Sequence, residues 1–555
     1  MQNMVAKWLQ GCHYAPFPSN FVARSKEMVM FNRREFLSTS LAATAPLCLS
    51  MLNEARADEP TKCDVFVYGS TPGGIAAALE AARRGCSVIL ACPQMHPGGM
   101  AASGLSTTDA VRRDKFGGLV AEFVRNVRAD YAMNLGEKSP DWKLIEDGWF
   151  YEPSVAERVF ARMIEAEGDR LKYWKGHHVV AAQVADGLVQ SVELDTPEGK
   201  RIRLVAQTFI DGTYEGDLAA AAKVPHRVGR EGREEHGEPL AGIHYMNWRT
   251  GKQIQTADTG EPSPAIQAFC ARSIFTDDPA KRVPIEKPAS YEEHLQDYLP
   301  LVDDFAKGRE KTFNFGTPLP GRKFQHNGFI DRMTSINCPG LSWTWPEAAR
   351  HHRARLAKFH VEHVLGLMWF LANEPRVPEG IRGQWAKAGL HKDEFADNGH
   401  MPWQIYVRQG RRIEGRAIVT QHNFTVDAKT GRTPKIEQPI ALGEHSFDVH
   451  PCHDRRFAID GFMEGVLWYP KKAAGPAQPG QVPYGAMLPK KVDNLLVPVA
   501  LSSTHVAMSV LRMEPLWMTT GQVAGLAAAV AKEKSQRAAN LDPAPLAGQL
   551  KIPVE

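Results

Sequence analysis

The sequence predicts an α/β fold of the nucleotide-binding kind with an inserted mixed region, and three observations carry that expectation. A short apolar run, a glycine-rich turn, a small-residue helix and a second apolar run follow one another in "DVFVYGSTPGGIAAALEAARRGCSVIL", Asp64 to Leu90. A second strand–turn–helix reads out of "RIRLVAQTFIDGTYEGDLAAAA". A third stands near the C-terminus, "NLLVPVALSSTHVAMSV" followed by "MTTGQVAGLAAAVA".

In the first unit, Cys63 to Tyr68 reads as a buried parallel strand, Gly73 to Arg84 as a helix closed by Gly85, and Ser87 to Ala91 as the next strand. Gly69 makes the tight turn, Gly74 lets the helix approach the strand, and Ala76 to Ala78 keep that face slim. The usual middle glycine is Thr71, followed by Pro72 and Gly73. Threonine is small enough for a pyrophosphate to approach, and its hydroxyl is expected to donate to a phosphate oxygen. The helix start offers N–H groups to the same anion. Where a carboxylate would hold the adenosine ribose, the chain has Cys92, so another group is expected to share that role.

The continuation separates two cofactors. "HPGGMAASGLSTTD", His96 to Asp109, places Gly98, Gly99 and Met100 beyond the second strand, followed by small and hydroxyl residues. A nicotinamide domain enters an ordinary helix here, whereas an FAD domain runs a Gly-Gly segment along its cofactor. The pattern favours FAD.

In the second unit the strand ends at Asp211 and the helix begins near Gly216, with Tyr214, Glu215 and Asp217 in the turn. Asp211 is a cofactor-site candidate, and Asp217 is either a cap or part of the site. In the third, hydroxyls and His505 follow a strand end, Arg512 to Pro515 line the flavin ring, and Gly521 with Gly525 forms a small helix face. A helix start placed near the flavin N1–C2 carbonyl stabilises the reduced form.

The segments "YGSTPGGIAAA", "FYEPSVAERVFARMI", "FIDGTYEGDLAAAAKV", "VGREGREEHGEPLAG" and "DNGHMPWQIYVRQGRRIEG" strengthen this pattern. With the C-terminal unit they resemble the FAD-dependent oxidoreductase family that includes the flavin domain of heterodisulfide reductase. The resemblance is closest to exported bacterial members. It implies a Rossmann-type FAD-binding domain of glutathione-reductase-like topology, assembled from discontinuous segments, with an inserted mixed α+β substrate domain. The expected division is 1–57 export signal, 58–242 first FAD part, 243–484 substrate domain, 485–535 C-terminal FAD part and 536–555 tail.

The export signal has its own marks. Arg33 and Arg34 precede Glu35-Phe36-Leu37, an apolar stretch to about Leu52 and the small-x-small site Ala55-Arg56-Ala57, a twin-arginine pattern. A start at Met28 or Met30 would give that signal an ordinary length. The expected location is periplasmic or secreted, off the membrane once the signal is removed. A net charge of +3 over 555 residues gives no reason to expect nucleic acid. Beyond the signal, Cys63, Cys86, Cys92, Cys270, Cys338 and Cys452 form no C-x-x-C pair, so no cluster or structural zinc is expected. "HSFDVHPCHDRR", with His445, His450, Cys452, His453 and Asp454, matches no common metal spacing.

The insert supplies the substrate candidates. "LSWTWPEAARHHRARLAKFHVEHVLGLMWFLAN" reads as two tryptophans and a helix with His and Arg on one face, and Trp345 offers either a sugar platform or a core ring. "MPWQIYVRQGRRI" reads first as a strand with Gln404, Tyr406 and Arg408 on one side, followed by Arg411 and Arg412. Arg408 and Arg412 either bind substrate or tie domains together. The expected reaction passes a hydride from a small polar organic molecule, a carbohydrate among the candidates, to flavin N5 and then to an unspecified acceptor. His505 is the first candidate base and Tyr406 the second. The alternatives are a lyase or carbohydrate-binding protein on the same fold, and a NAD-dependent dehydrogenase.

Overall fold

In the computed structural model, residues 59–247, 252–328, 332–468 and 479–554 are described. The expected export signal and residues 469–478 lie outside them. The fold grows from the opening unit. Strand β1 (Thr61–Tyr68) buries Val65 to Tyr68, α1 (Pro72–Arg83) returns over it, and β2 (Val88–Ala91) pairs in parallel, Val65 opposite Val88. Helices α2 (Gly118–Asn134) and α3 (Pro153–Glu165) lead to β3 (Leu171–Trp174), which joins the far side of β2.

The chain then reverses through β4 (His178–Ala185) and β5 (Leu188–Asp195) into β6 (Arg201–Asp211). One edge of β6 runs parallel to β1, from Thr61 opposite Leu204 to Tyr68 opposite Asp211. A strand has two edges, so the other must serve two partners. Its first half pairs antiparallel with β5, and its second half pairs in parallel with β7 (Leu495–Leu496) from the C-terminal unit. The strand order is β3-β2-β1-β6-β5-β4, with β7 beside the end of β6. The strand expected through "NLLVPVALSS" shrinks to two residues, because Pro498 lacks the N–H that would continue the ladder.

From β7 the chain enters α5 (His505–Leu511) and α6 (Glu514–Glu533), so Glu514 and Pro515 open the last long helix instead of preceding it. Helix α6 lies on α1 at backbone distance. A Cβ at Gly521 would collide with the Gly73 carbonyl, and one at Gly525 with the Ala77 carbonyl.

In the insert, short antiparallel strands order as Arg282–Pro284, Gly389–His391, Ile274–Thr276, Lys323–Gln325 and Thr317–Leu319. A 24-residue helix, α4 (Arg350–Asn373), packs beside them; α4 precedes α5 in the chain. Its His360 and His363 point into the core with Val364 and Leu367, so the basic face consists of the arginines without these histidines. No strand forms over 402–408. Tyr406 instead makes an isolated bridge to Cys270, and only Arg412–Ile413 pairs regularly, with His226–Arg227. One apolar core spans the insert and the C-terminal unit, joining Phe269, Trp345 and Leu367 to Val499, Val506 and Leu516.

Candidate functional site

A groove of about 730 Å³ opens at the carboxyl ends of β1, β2 and β6. Its floor is backbone. At Gly69 φ is +105°, and a Cβ would meet the Gly212 carbonyl carbon at 2.7 Å; a Cβ at Gly99 would strike the Tyr214 hydroxyl. Thr71 caps α1. Its hydroxyl donates to the Gly212 carbonyl at 2.6 Å and accepts from the Gly74 amide at 3.1 Å. The proton expected to reach a phosphate is therefore spent on joining α1 to the turn after β6. The amides of Ser70, Thr71 and Gly73 make no hydrogen bond to other described residues. They leave donors at the positive end of α1. Pro72 occupies the first helical turn, and Gly73 lies against the Trp517 carbonyl.

The far end of the groove corrects the reading of Cys92. That thiol is fully buried, donates to the Gln94 carbonyl at 3.1 Å and lies 3.4 Å from the Tyr173 hydroxyl. Burial raises its pKa. It is not among the lining residues of the groove, whereas Gln94 and His96 line that end. His96 closes the same end, stacked on Trp403 with centroids 3.6 Å apart and bonded to Glu157 and Asp397.

Asp211 is likewise turned inward. It accepts from the Thr213 amide and hydroxyl and from the Ala219 amide, and burial pushes its carboxyl up to about 6. Asp211 thus satisfies the start of the following short helix, the role Asp217 was a candidate for. Asp217 takes Arg353 at 2.7 and 2.9 Å and Arg411 at 2.9 Å. Trp345 lines the groove, but its indole N–H is committed to Glu215 at 3.1 Å.

Past the Gly-Gly step the polar side chains form a buried cluster, the chamber of this site. Gly98 (φ +103°) stands against Phe160, and the Met100 amide donates to the Tyr214 hydroxyl at 2.9 Å. That hydroxyl donates in turn to Glu514 at 2.5 Å, and burial pushes the Glu514 carboxyl up to about 8. Tyr406 lies deeper, its hydroxyl accepting from Arg512 at 3.0 Å, while Arg512 also pairs with Asp448 at 2.9 Å. The guanidinium carbons of Arg408, Arg272 and Arg512 lie 4.6, 5.7 and 5.8 Å from the Tyr406 ring centroid. Asp109 faces Arg272 and Arg512, with burial raising its pKa.

Buried polar atoms in folded proteins are almost always hydrogen-bonded. Here Ser106 Oγ, Tyr151 Oη, Glu514 Oε2 and Trp517 Nε1 have no partner among the described residues. Nor do the Nε atoms of Arg272, Arg408 and Arg512. A backbone-floored groove with free amides, next to a buried cluster of unsatisfied donors and acceptors, fits an elongated dinucleotide that ends in a polar ring.

The structure thus brings Tyr406, Arg408 and Arg512 together and separates the other candidates from them. Arg412 is held by Glu231 (2.7 Å), the Ser503 carbonyl (3.0 Å) and the Gly229 carbonyl (2.7 Å). His505 belongs to that neighbourhood. Its Nδ1 faces Gln409 at 2.7 Å, and burial beside Arg230 and Arg412 holds its pKa far below the usual value. A neutral imidazole with a depressed pKa is a poor proton acceptor at neutral pH. Gly521 packs α6 against the Gly73 carbonyl. Arg272, Asp109, Tyr151 and Asp448 were missed. Asp109 closes a motif already singled out, whereas Arg272 in "FCARSIFT" carries no local signal.

The histidines of the 445–454 segment diverge: His450 faces Asn337, and His453 packs on Trp343. Among the described residues the one trio with metal-ligand proximity lies elsewhere, at His294, Asp297 and His363. No described helix is long and apolar enough to cross a membrane.

Residues 64–550 match the family described as FAD dependent oxidoreductase. No curated protein matches the chain. Similar solved structures include a myxobacterial chondrochloren halogenase, described as a variant of FAD-dependent halogenases. It is 14% identical over 40% of this chain and 46% of that one, with a TM-score of 0.24. Another is the anhydrotetracycline hydroxylase from Streptomyces rimosus, at 13% identity over 38% and 42%, TM-score 0.23. A third is a 3-ketosteroid dehydrogenase from Rhodococcus jostii, at 13% over 31% and 50%, TM-score 0.19. The chain spans half or less of the length of each of these three. The family match covers nearly all of the described chain, and the chain belongs to the FAD-dependent oxidoreductases: it is an enzyme whose cofactor is FAD.

Proposed function

We propose that this enzyme is exported by the twin-arginine route and oxidises a small polar organic molecule, a carbohydrate being one candidate, bound against Tyr406. The twin-arginine pattern at Arg33-Arg34 supports the export. The β3-β2-β1-β6 order, with the C-terminal strand beside β6, supports a glutathione-reductase-like arrangement. The motifs quoted above support kinship with the flavin domain of heterodisulfide reductase.

The observation that carries the chemical reading is the cluster of buried, unsatisfied polar groups around Tyr406 at the end of the Gly-Gly segment. FAD bound along the groove supplies the hydride acceptor. The remaining work falls to side chains. Arg512 donates to the Tyr406 oxygen, so the phenol proton is free to point at a substrate heteroatom. Asp109, with a carboxyl raised by burial, is placed to take up the proton released on oxidation. Glu514 holds Tyr214, and Tyr214 holds the Met100 amide, fixing the Gly-Gly segment. In this scheme Tyr406 and Asp109 take the acid–base work, and His505 stays a neutral structural partner of Gln409.

The test is the visible spectrum of purified protein before and after denaturation, followed by anaerobic additions of sugars and hydroxy acids. Bound flavin released as FAD, and bleached by a substrate, is the expected result. A colourless protein that takes up no added FAD overturns it.

A further inference from the structure

Five arginines are almost wholly buried in this interior, and the fold treats them unequally. Arg230 is matched by Glu464 at 2.7 Å, Arg412 by Glu231 at 2.7 Å and Arg512 by Asp448 at 2.9 Å. Arg272 and Arg408 are each 1% exposed, yet among the described residues their hydrogen-bond partners are carbonyls and a thiol, with no carboxylate. Arg408 donates to the Ala268 carbonyl at 2.5 Å and to Cys270 Sγ at 3.4 Å. Arg272 reaches the Leu105 carbonyl at 3.4 Å. The Nε of each has no partner among the described residues. A guanidinium taken out of water without a counter-charge is costly, and proteins otherwise pair it.

The nearby acids do not cancel the excess. Asp448 is held by Arg512, and Glu514 is pushed up to about 8, so it is mostly uncharged at neutral pH. Asp109 faces Arg272 without a hydrogen bond to it. Three guanidiniums therefore face two carboxylates around one phenol ring, an excess of one positive charge, and the two that make no ion pair flank that ring at 5.7 and 4.6 Å.

Resting on the oxidoreductase reading, we propose that Arg272 and Arg408 form an anion pocket and that the substrate carries a carboxylate, bound there beside the Tyr406 hydroxyl. Planar guanidinium forks suit a carboxylate geometrically, and an arriving anion would supply the counter-charge that the protein lacks at this one place.

Holoenzyme with FAD bound is titrated with matched pairs: glycolate against ethylene glycol, and glucuronate against glucose. Perturbation of the flavin band gives Kd, and anaerobic bleaching is followed separately. The carboxylate of each pair is expected to bind at least ~100-fold tighter than its neutral partner. Arg272→Met and Arg408→Met are expected to weaken carboxylate binding ~30-fold or more while retaining FAD. Equal binding within the pairs, or no shift with any carboxylate, overturns the proposal even if the variants do not fold. Variants that alter the flavin spectrum but leave carboxylate Kd unchanged also overturn it, because the arginines then serve the cofactor. Bleaching by the neutral partners alone overturns the anion pocket and keeps the oxidation. A carboxylate shift without bleaching keeps the pocket and counts against oxidation of these compounds.

Discussion

The groove and the chamber are adjoining parts of one site, but they are built on opposite principles. Along the groove the polar side chains already satisfy one another: Thr71 with Gly212, Asp211 with Thr213 and Ala219, Asp217 with Arg353 and Arg411. What it offers a ligand is shape and backbone amides. The chamber holds Ser106, Tyr151, Glu514 and three arginines with polar atoms left over. A surface complete without its ligand tolerates side-chain changes and punishes backbone ones. A cavity completed by its ligand does the reverse.

The largest effect that would break this contrast lies in the groove backbone. Gly69→Val places a branched side chain at φ +105° against Gly212 and Thr213, so purified protein is expected to contain no bound flavin. Flavin-to-protein absorbance is the readout, and near-stoichiometric FAD would refute the backbone-floor account.

A smaller effect sharpens the chamber side. In FAD-free protein the Glu514 carboxyl is raised from its ordinary 4.5 to about 8. Both folded and unfolded chains hold this proton below pH 4.5. Between 4.5 and about 8 the unfolded chain releases it and the folded chain keeps it, so stability from this group falls as pH rises and levels off above 8. At about 1.4 kcal/mol per unit the loss is on the order of 5 kcal/mol. Glu514→Gln should flatten that slope in urea unfolding at pH 5 and pH 8. An unchanged slope would show that the carboxyl is ionised in the folded protein.

The smallest effect returns to the groove. Cys92→Ala removes a thiol outside the lining, so the Kd for FAD should change by less than about threefold, a few tenths of a kcal/mol. A tenfold loss, read by fluorescence titration of the apoprotein, would return Cys92 to the ribose contact.

The strands, helices and glycines of the groove were legible because their signals are local: period, turn residue and small face lie within one segment of chain. Thr71 sits in the expected turn between β1 and α1, but the destination of its proton was not legible, because the Gly212 carbonyl lies 141 residues away. The chamber was legible only in pieces. Tyr406, Arg408 and Arg512 each stood out in their own segments, yet Arg272 gains its meaning from the bridge between Cys270 and Tyr406, which no periodicity announces. His505 and Arg412 looked reactive by residue type. Their hydrogen-bond partners, Gln409, Glu231 and Gly229, make them buttresses.

The contact of Gly521 on Gly73 and Gly525 on Ala77 has a consequence for biosynthesis. The cradle begins near residue 69, but the helix that braces it is translated far later, ending at Glu533. A ribosome leaves the opening strand and α1 waiting, their alanine face uncovered, until more than four hundred further residues have emerged. Nascent chains therefore cannot load cofactor from the N-terminus onward. Yellow colour is expected only in chains translated through α6, and chains cut short before it are expected to reach the cell's quality control empty.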